Sequence, residues 1–555
     1  KRHIGFAWGP TEHHEMSRVD RIEFTVASFV GGKGTLWLDD LKFEPLPPET
    51  DVWPEAALSA SSSARRHGPG LAADGSGETF WQSRKGGRQS ITLDFRGRRE
   101  FGGLHIEWLE GSHSDAFDIL LSSDGKSWDK VYSVNPGRGY TSFIRLPETE
   151  AAYMRLDLLK PANGSYYGIR EIKIPDVKST MTPNDFVMYA ARNSPAGSYP
   201  GYFSGRASYW TVTGVSSDTK EALISEDGMV EAEKGRFSIE PMLKINDTLL
   251  NHSNVRPEQQ MGFPGYSGGF VFLPSVEWRH SGVRFVTGVS SGGNPDDDSE
   301  LYIGYRFENT SARPLEFEFY LLLRPFQVNP YYQFLNTVGG TGRIMTLREV
   351  SKGLITVDGK PVRLTEGYDS FGAAKFDEGN PVEMIRRGEM PSSVSVTDPS
   401  GMAGGVIKYI IKLDAGESKE LFAVIPYHSL LTASSGLTSG ENQPLVTRPG
   451  LSGEGSGLHS MPQTTDDARE RFFMSADYWN KRTGHIRFDL PPSADRLIDT
   501  WRSNLAYILI NRDKAGIQPG SRSYDRSWIR DGSLTSSALL KSGIVTEVRE
   551  FIEWY

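Results

Sequence analysis

The segment Gln89-Ser-Ile-Thr-Leu-Asp-Phe95 alternates polar and apolar residues from Ser90 to its end. The same alternation returns in Gly103-Leu-His-Ile-Glu-Trp108, Asp118-Ile-Leu-Leu-Ser122 and Tyr153-Met-Arg-Leu-Asp157. A period of two is typical of strands with one buried face. Because turn sequences such as Ser123-Asp-Gly-Lys126 separate these short strands, we predict an antiparallel β-sandwich over residues 51–176.

Further along the chain, residues 184–428 show the same kind of pattern on a larger scale. Clean alternation occurs at 301–307 and 315–321, which a turn sequence at 309–314 joins, and residues 283–286 add another strand. These segments predict a large two-sheet β-sandwich. The fold class is therefore multi-domain and mainly β.

Residues 1–48 form a separate, shorter pattern. Two strands are predicted at 22–26 and 35–38, followed by a Pro-rich linker. The ending Leu38-Asp-Asp-Leu41 resembles the last strands of a galactose-binding-like jelly roll. The resemblance implies that residues 1–48 are the C-terminal part of such a jelly roll, cut inside a longer protein.

The pattern changes to helices after residue 428. Residues 429–464 are rich in Ser, Gly, Thr and Pro and are predicted to be a linker. Residues 465–555 follow as a linker helix with Thr465 as its N-cap, a helix starting at Ser493, one over 532–542, and one carrying Val548, Phe551, Ile552 and Tyr555. Strands followed by helices indicate separate domains.

Composition excludes several classes of function. The chain has no cysteine, so it has neither disulfides nor a thiol nucleophile. Its net charge of −9 is spread evenly along the sequence, which argues against nucleic acid and favours a neutral partner. No stretch approaches the roughly 20 apolar residues of a membrane span. We expect an exported protein, secreted or periplasmic and bacterial, with any signal upstream of Lys1.

Five motifs in the 51–176 unit occur in an order found in a known family. They are Ala73-Asp-Gly75, Thr79-Phe-Trp81, Ser122-Ser-Asp-Gly-Lys-Ser-Trp128, Tyr153-Met-Arg-Leu156 and Tyr167-Gly-Ile-Arg-Glu-Ile172. In this order they resemble the coagulation factor 5/8 type C domain, also called discoidin or carbohydrate-binding family 32. The resemblance implies sugar binding through variable loops, where His113 and Tyr166 are candidates, while Trp81 and Trp128 are expected in the core.

The same resemblance implies a structural Ca²⁺ site. The run Asp74-Gly-Ser-Gly-Glu-Thr79 is similar to the family's calcium loop, and it implies Asp74, Thr79 and Glu171 as oxygen ligands. Oxygen ligands suit Ca²⁺. The alternative is an Asx-type turn with a buried Thr and a salt-bridged Glu.

A second resemblance concerns the loop before the third helix, Tyr524-Asp-Arg-Ser-Trp528-Ile-Arg530-Asp531. A sandwich, a linker helix and Trp-x-Arg-Asp before a small-residue helix resemble the glucoamylase-like (α/α)6 barrel glycosidases near glycoside hydrolase family 15. The resemblance implies that Arg530 and Asp531 contact the terminal sugar, with Trp528 and Tyr524 as weaker candidates. The alternative is that Asp531 is a helix N-cap, Arg530 a surface ion pair and Trp528 a core residue.

Together these resemblances predict a modular glycoside hydrolase that acts on an oligo- or polysaccharide. Its catalytic residues are unknown, because the family's paired carboxylates lie later in the barrel, beyond residue 555. Two other functions stay open: a glycoside phosphorylase or transferase on the same architecture, and a non-catalytic glycan-binding protein.

Overall fold

The computed structural model describes residues 53–268, 270–428 and 461–555, together with residue 21 and the short stretches 35–39, 431–432 and 446–447. These residues form two β-sandwiches followed by four helices. The chain is mainly β, as predicted. The jelly roll and the linker fall almost entirely outside the described residues, and residues 35–39 carry no regular secondary structure.

The first sandwich is built from one seven-stranded antiparallel sheet that bends over on itself. Its order is β2-β7-β3-β6-β4-β5, with β1 beside β3. The strands are β1 (Ala57–Ala60), β2 (Trp81–Gln82), β3 (Gln89–Trp108), β4 (Ser114–Ser122), β5 (Asp129–Val134), β6 (Ser142–Pro161) and β7 (Gly168–Lys173).

Strands β3 and β6 are each 20 residues long and belong to both layers of this sandwich. Their pairing shifts register between Asp94 and Arg99 and again between Phe101 and Gly103, which lets the strands bend. The two segments predicted as separate strands at 89–95 and 103–108 are therefore halves of one strand. Between the layers lie the core side chains Trp81, Phe95, Phe101, Phe117 and Tyr167.

The second sandwich has two antiparallel sheets. One has the order β21-β23-β17-β11-β10-β9-β8, with β12 beside β11, and the other the order β13-β14-β15-β16-β24-β20-β19-β18-β22. The strands of the first are β8 (Trp210–Gly214), β9 (Glu221–Ser225), β10 (Val230–Glu231), β11 (Ser238–Ile245), β12 (Thr248–Leu250), β17 (Leu315–Arg324), β21 (Ser370–Ala374) and β23 (Gly404–Leu413).

The strands of the other sheet are β13 (Glu258–Met261), β14 (Pro274–His280), β15 (Val283–Gly292), β16 (Glu300–Asn309), β18 (Thr346–Ser351), β19 (Leu354–Val357), β20 (Lys360–Leu364), β22 (Ser395–Thr397) and β24 (Ser418–Pro426). Phe285, Tyr305, Phe307 and Phe319 pack between the sheets with ring centroids 4.8–6.4 Å apart. Strands β15, β16 and β17 include the three predicted segments.

Helix α1 (Pro183–Arg192) joins the two sandwiches. A capping box between Thr182 and Asp185 fixes its start. Its buried face belongs to one apolar cluster with Phe143 of the first sandwich and Phe326 of the second, and Tyr189 of the helix contacts Phe143. A shorter helix, α2 (Pro381–Arg386), lies in the second sandwich and begins at the cap Asn380. The two sandwiches are therefore packed directly against each other.

Four helices follow: α3 (Thr465–Thr483), α4 (Asp495–Ile510), α5 (Ile529–Lys541) and α6 (Thr546–Trp554). The N-cap of α3 is Thr464, one residue before the predicted Thr465, and its hydroxyl accepts a hydrogen bond from the Asp467 amide. Phe472 of α3 packs on Phe263 and Phe422 of the second sandwich. Four helices are fewer than the twelve of an (α/α)6 barrel, so the barrel stays a prediction.

Candidate functional site

The residues predicted to hold a metal ion are brought together beside strand β7. Both carboxylate oxygens of Asp74 accept from the Thr79 hydroxyl at 2.8 Å, and one also accepts from the Ser76 amide at 3.0 Å. Gly75 turns the chain at a left-handed φ of +76°. The backbone N–H of Gly75 donates to Glu171, which ties the loop to the strand.

Glu171 is the buried member of this group. Its side chain is 6% exposed, and its Oε2 atom has no hydrogen-bond donor among the described residues. Burial raises the pKa of Glu171, and the nearby negative charge of Asp74 raises it further. A buried carboxylate oxygen without a donor beside a second carboxylate is the arrangement that a bound cation would stabilise, so these residues fit a hard metal ion such as Ca²⁺.

A second acidic group, which the sequence did not suggest, consists of Asp218, Asp296 and His428. Donors already occupy the oxygens of the buried Asp218: His428 Nε2 lies 2.8 Å and Ser299 Oγ 2.5 Å away. Burial raises the pKa of Asp218, but these hydrogen bonds lower it overall. These hydrogen bonds join loops of the second sandwich.

The loop that precedes helix α5 is anchored by a buried arginine, Arg522. Its Nε donates to Glu231 at 2.8 Å, and its Nη1 donates to Glu221 at 2.7 Å. The other carboxylate oxygen of Glu231 accepts from the backbone amides of Val328 and Asn329. Loop 520–528 is thus fixed to the second sandwich. Sequence reasoning missed Arg522, which lies in a polar run between two helices, Ser521-Arg-Ser523.

The four residues predicted to contact sugar lie on the surface of this region. Tyr524 is 55% exposed and Trp528 is 38% exposed, with the Arg526 guanidinium 4.9 Å from the Trp528 ring centroid. Arg530 is exposed and pairs with Asp531 at 3.5 Å. All four are accessible to a ligand, so Trp528 is not a core residue as the alternative interpretation required.

Helix α5 begins at Ile529 with Trp528 as its N-cap, so the expected cap Asp531 lies instead in the first turn. The N-cap interpretation of Asp531 is therefore wrong. The predicted start at Gly532 is also three residues late. Asp531 still experiences the positive end of the helix dipole, which stabilises a carboxylate there.

A loop of the second sandwich, residues 331–338, runs beside loop 520–528. The backbone amides of Leu335 and Asn336 donate to Ser523 Oγ and Ser523 O at 3.0 and 3.2 Å. On the same loop, Tyr332 is 43% and Phe334 is 60% exposed. Sequence reasoning missed this loop, and its aromatic run Tyr331-Tyr-Gln-Phe334 was the available signal.

The sugar-binding candidates of the first sandwich differ in accessibility. His113 is packed against Gly139 and lies 3.4 Å from Asp115. Burial lowers its pKa. Tyr166 is half-buried on a loop that the Asn163 side chain holds by accepting from the amides of Ser165 and Tyr166. Trp81 is fully buried as predicted, whereas Trp128 is half-buried, with the Arg155 guanidinium over its ring.

The first sandwich has the geometry of a discoidin-like domain, and comparison with known families agrees. Residues 57–172 match the F5/8 type C domain family, as the five motifs predicted. This part of the chain is an F5/8 type C domain. No curated protein shows significant similarity to the chain.

Several solved structures are similar over about this range. Chitosan-binding module 2 of a Paenibacillus sp. IK-5 chitosanase/glucanase, solved with chitotriose, is 26% identical, and the match covers 22% of this chain and 96% of the module, with a TM-score of 0.21. The module CpGH89CBM32-5 of Clostridium perfringens, with GalNAc-β-1,3-galactose, is 20% identical, with coverages of 22% and 94% and a TM-score of 0.20.

The sequence predicts that no segment spans a membrane, and the helices of the structure can be compared with that prediction. In the part of the chain that the structure describes, no helix combines the length and apolar character that crossing a membrane requires.

Proposed function

We propose that this chain is the glycan-binding front of a modular carbohydrate-active enzyme, and that its F5/8 type C domain binds an oligo- or polysaccharide. The observation that carries the proposal is the family match over residues 57–172. The exposed loops at one end of the domain, which include Tyr166, support it. An exported location, secreted or periplasmic, fits a polysaccharide partner.

Native affinity electrophoresis of the whole chain tests this function. The gel contains one soluble polysaccharide at a time, and bovine serum albumin serves as a non-binding reference. We expect retardation in at least one polysaccharide and release when its oligosaccharide is added in excess. Unchanged mobility in every neutral and acidic polysaccharide contradicts the proposal.

The metal site belongs to the same proposal. Asp74, Thr79 and Glu171 would hold a structural Ca²⁺, which would supply positive charge to the two carboxylates and fix the loop against β7. The uncompensated Glu171 Oε2 supports this assignment over a simple Asx-type turn.

We further propose that the enzyme is a glycoside hydrolase in which Arg530 and Asp531 contact the terminal sugar, assisted by Trp528 and Tyr524. What favours this is the contact between loops 331–338 and 520–528, because it brings the exposed aromatic rings of the first loop to the segment that leads into Arg530 and Asp531. Aromatic faces cover sugar C–H groups, while Asp and Arg form hydrogen bonds to hydroxyls.

A phosphorylase or transferase would use the same surface. Turnover that requires inorganic phosphate would identify a phosphorylase, and transfer of the glycosyl group to a second sugar would identify a transferase. Glycan binding without any turnover of the bound polysaccharide by the full-length protein would favour a purely binding role.

A further inference from the structure

Five exposed cationic side chains gather at one end of the F5/8 type C domain, although the chain as a whole carries a net charge of −9. We call them the cationic end: Arg65, Arg66, Arg84, Lys85 and Arg88. They come from two segments on either side of strand β2, which the fold brings together.

Hydrogen bonds hold these two segments side by side. The Ala64 amide donates to the Gln82 carbonyl at 2.8 Å, and the Arg84 amide donates to Ser62 Oγ at 3.2 Å. Arg65 and Arg66 form the tip of the turn that the Ala64–His67 bridge closes. The backbone therefore holds the two segments, and the residues that carry the charges, close together.

A third segment, the loop that carries Tyr166, lies against the second of these. The Tyr167 hydroxyl donates to the Gly87 carbonyl at 2.8 Å. A Cβ atom at Gly86 would lie 3.0 Å from the Ser165 carbonyl oxygen, so a larger residue would push the two loops apart. Tyr166 thus lies beside the cationic end.

None of the five cations forms an ion pair with any residue in the described part of the chain. Elsewhere in the domain, Arg98 pairs with Glu150 and Arg155 with Asp157. The exposed acids on flanking loops, Glu78 and Glu110, pair with none of the five. Like charges held together without counter-charges create a local positive field, which an anionic ligand would neutralise.

We propose that the F5/8 type C domain binds an acidic polysaccharide, one that carries carboxylate or sulfate groups, across the cationic end. The inference rests on the glycan binding proposed above and narrows it to one chemical class. Four of the five cations are arginines, whose forked donors match carboxylate and sulfate oxygens in pairs. Because the cations are spread over two loops, they can pair with several anionic groups of one polymer.

An anionic membrane is less favoured because the cationic end lacks apolar side chains to insert. Peripheral domains bind bilayers by combining charge with buried apolar area. Among the described residues 53–173, the only exposed large apolar side chain is Val131, which lies on β5 at the opposite edge of the sheet from β2. A water-soluble polyanion needs no such insertion.

The experiment compares acidic and neutral polysaccharides with the whole chain in native affinity electrophoresis. Polygalacturonate supplies carboxylates, dextran sulfate supplies sulfates, and galactan and dextran are the neutral counterparts. We expect retardation by at least one acidic polymer, weakening as salt is raised from about 0.05 to 0.5 M because counterions screen exposed charges. Which acidic polymer retards the chain identifies the anionic group.

Two double variants remove parts of the surface, Arg65→Gln with Arg66→Gln and Lys85→Gln with Arg88→Gln. Each is expected to weaken acidic binding about three- to tenfold, the scale of two exposed charge interactions. The matched control, Arg96→Gln with Lys126→Gln, removes two exposed cations at the bend of β3 after Asp94 and in the turn after β4, where both strands pair with Tyr153. Its binding should stay within about twofold of wild type.

Three outcomes would overturn the inference. Binding of neutral polymers that the double variants leave unchanged would refute the acidic class while glycan binding stands. Equal losses of binding in the control and in the two variants of the cationic end would mean that charge acts non-specifically. Binding of phosphatidylserine vesicles or single-stranded DNA, without binding of any polysaccharide, would refute both this inference and the proposed function.

Discussion

Arg522 Nε lies 2.8 Å from the carboxylate of Glu231, a residue 291 positions earlier in the chain. Arg522 also donates a hydrogen bond to Glu221, so its single guanidinium group balances the negative charges of two buried carboxylates. Burial raises the pKa of Glu221, and Arg522 opposes that rise. These two hydrogen bonds attach the loop before α5 to the second sandwich.

Arg522→Met should therefore destabilise the chain strongly. The change leaves two buried carboxylates without a cation, which costs about 3–5 kcal/mol. Urea unfolding followed by tryptophan fluorescence measures the loss. The control is Arg549→Met, whose exposed pair with Glu553 at 3.9 Å is worth less than about 1 kcal/mol. Equal stability of the two variants would show that the buried pairing contributes little.

Calcium should raise the melting temperature of the wild-type chain, and a chelator should lower it. A ligand that binds only the folded state at about 100 times its Kd adds roughly 2.7 kcal/mol. Differential scanning calorimetry of the first transition, with and without Ca²⁺, measures the shift. Asp74→Asn should abolish it, whereas Glu78→Gln, an exposed acid of the same loop, should keep it. A calcium response that survives in Asp74→Asn argues against the site.

Under the proposed hydrolase function, Asp531→Asn in the full-length protein should lower kcat/KM at least about 10- to 100-fold, the loss of roughly 1.4–2.7 kcal/mol of transition-state stabilisation. The reason is that charge-assisted bonds to sugar hydroxyls are about twice as strong as neutral ones. Because Asp531 lies in the first turn and is not the cap, stability should fall by less than about 1 kcal/mol.

The matched control for this change is Asp495→Asn. Asp495 is exposed in the first turn of α4, a different helix from the one that follows loop 520–528, so the substitution removes a similar helix-dipole interaction. Its kinetics should match those of wild type. Wild-type kinetics in a folded Asp531→Asn protein would remove the main residue-level reason for a sugar site here.

Under the proposed hydrolase function, Phe334→Ala in the full-length protein should weaken binding of longer oligosaccharides. Its stability should stay within about 0.5 kcal/mol of wild type, since the side chain is 60% exposed. Stacking on an aromatic face accounts for the loss, and KM should rise more for trisaccharides than for disaccharides. Val338→Ala, on the same loop and 64% exposed, is the control. A uniform loss of activity on all substrates would point to a disturbed loop instead.

Residues 51–176 expressed alone should fold with a β-type circular dichroism spectrum, because the domain has its own core. Its melting temperature should be lower than in the whole chain, since separation exposes Phe143 and removes the hydrogen bond from Tyr132 to Asp377. A helical or disordered spectrum would contradict independent folding.

Local patterns predicted the strands well because alternation reports one buried face directly. The segments around Ile303 and Phe319 lie in β16 and β17, and Trp81 is buried as its motif indicated. The buried face of a helix was harder to predict from local patterns. In α4, Leu497, Trp501, Leu505 and Ile508 follow one another at helical spacing, yet Leu497 is 66% exposed, while Ala506, Leu509 and Ile510 are buried. Contacts with β8 determine which of several similar apolar faces of α4 is buried.

Long-range relationships could not be predicted from local patterns. The pairing of Arg522 with Glu221 and Glu231 depends on which loop meets which sheet, and nothing in the sequence near Arg522 indicates its partners. The distribution of charge on the surface could not be predicted from local patterns either, as the cationic end shows. Evenly distributed charges suggested a neutral partner, but the turn after Ala64 and the segment after Gln82 bring the arginines together.

The contacts between the two sandwiches have a consequence for how a substrate would be presented. Tyr132, Arg138 and Tyr140 of the F5/8 type C domain bond to Asp377, Ser392 and Glu389 of the second sandwich. A module on a flexible tether raises the local concentration of its ligand over a broad volume. A docked module instead holds a captured polymer at a fixed distance from the rest of the chain, so under the proposed function the length of the polymer would determine which sugar unit reaches Asp531.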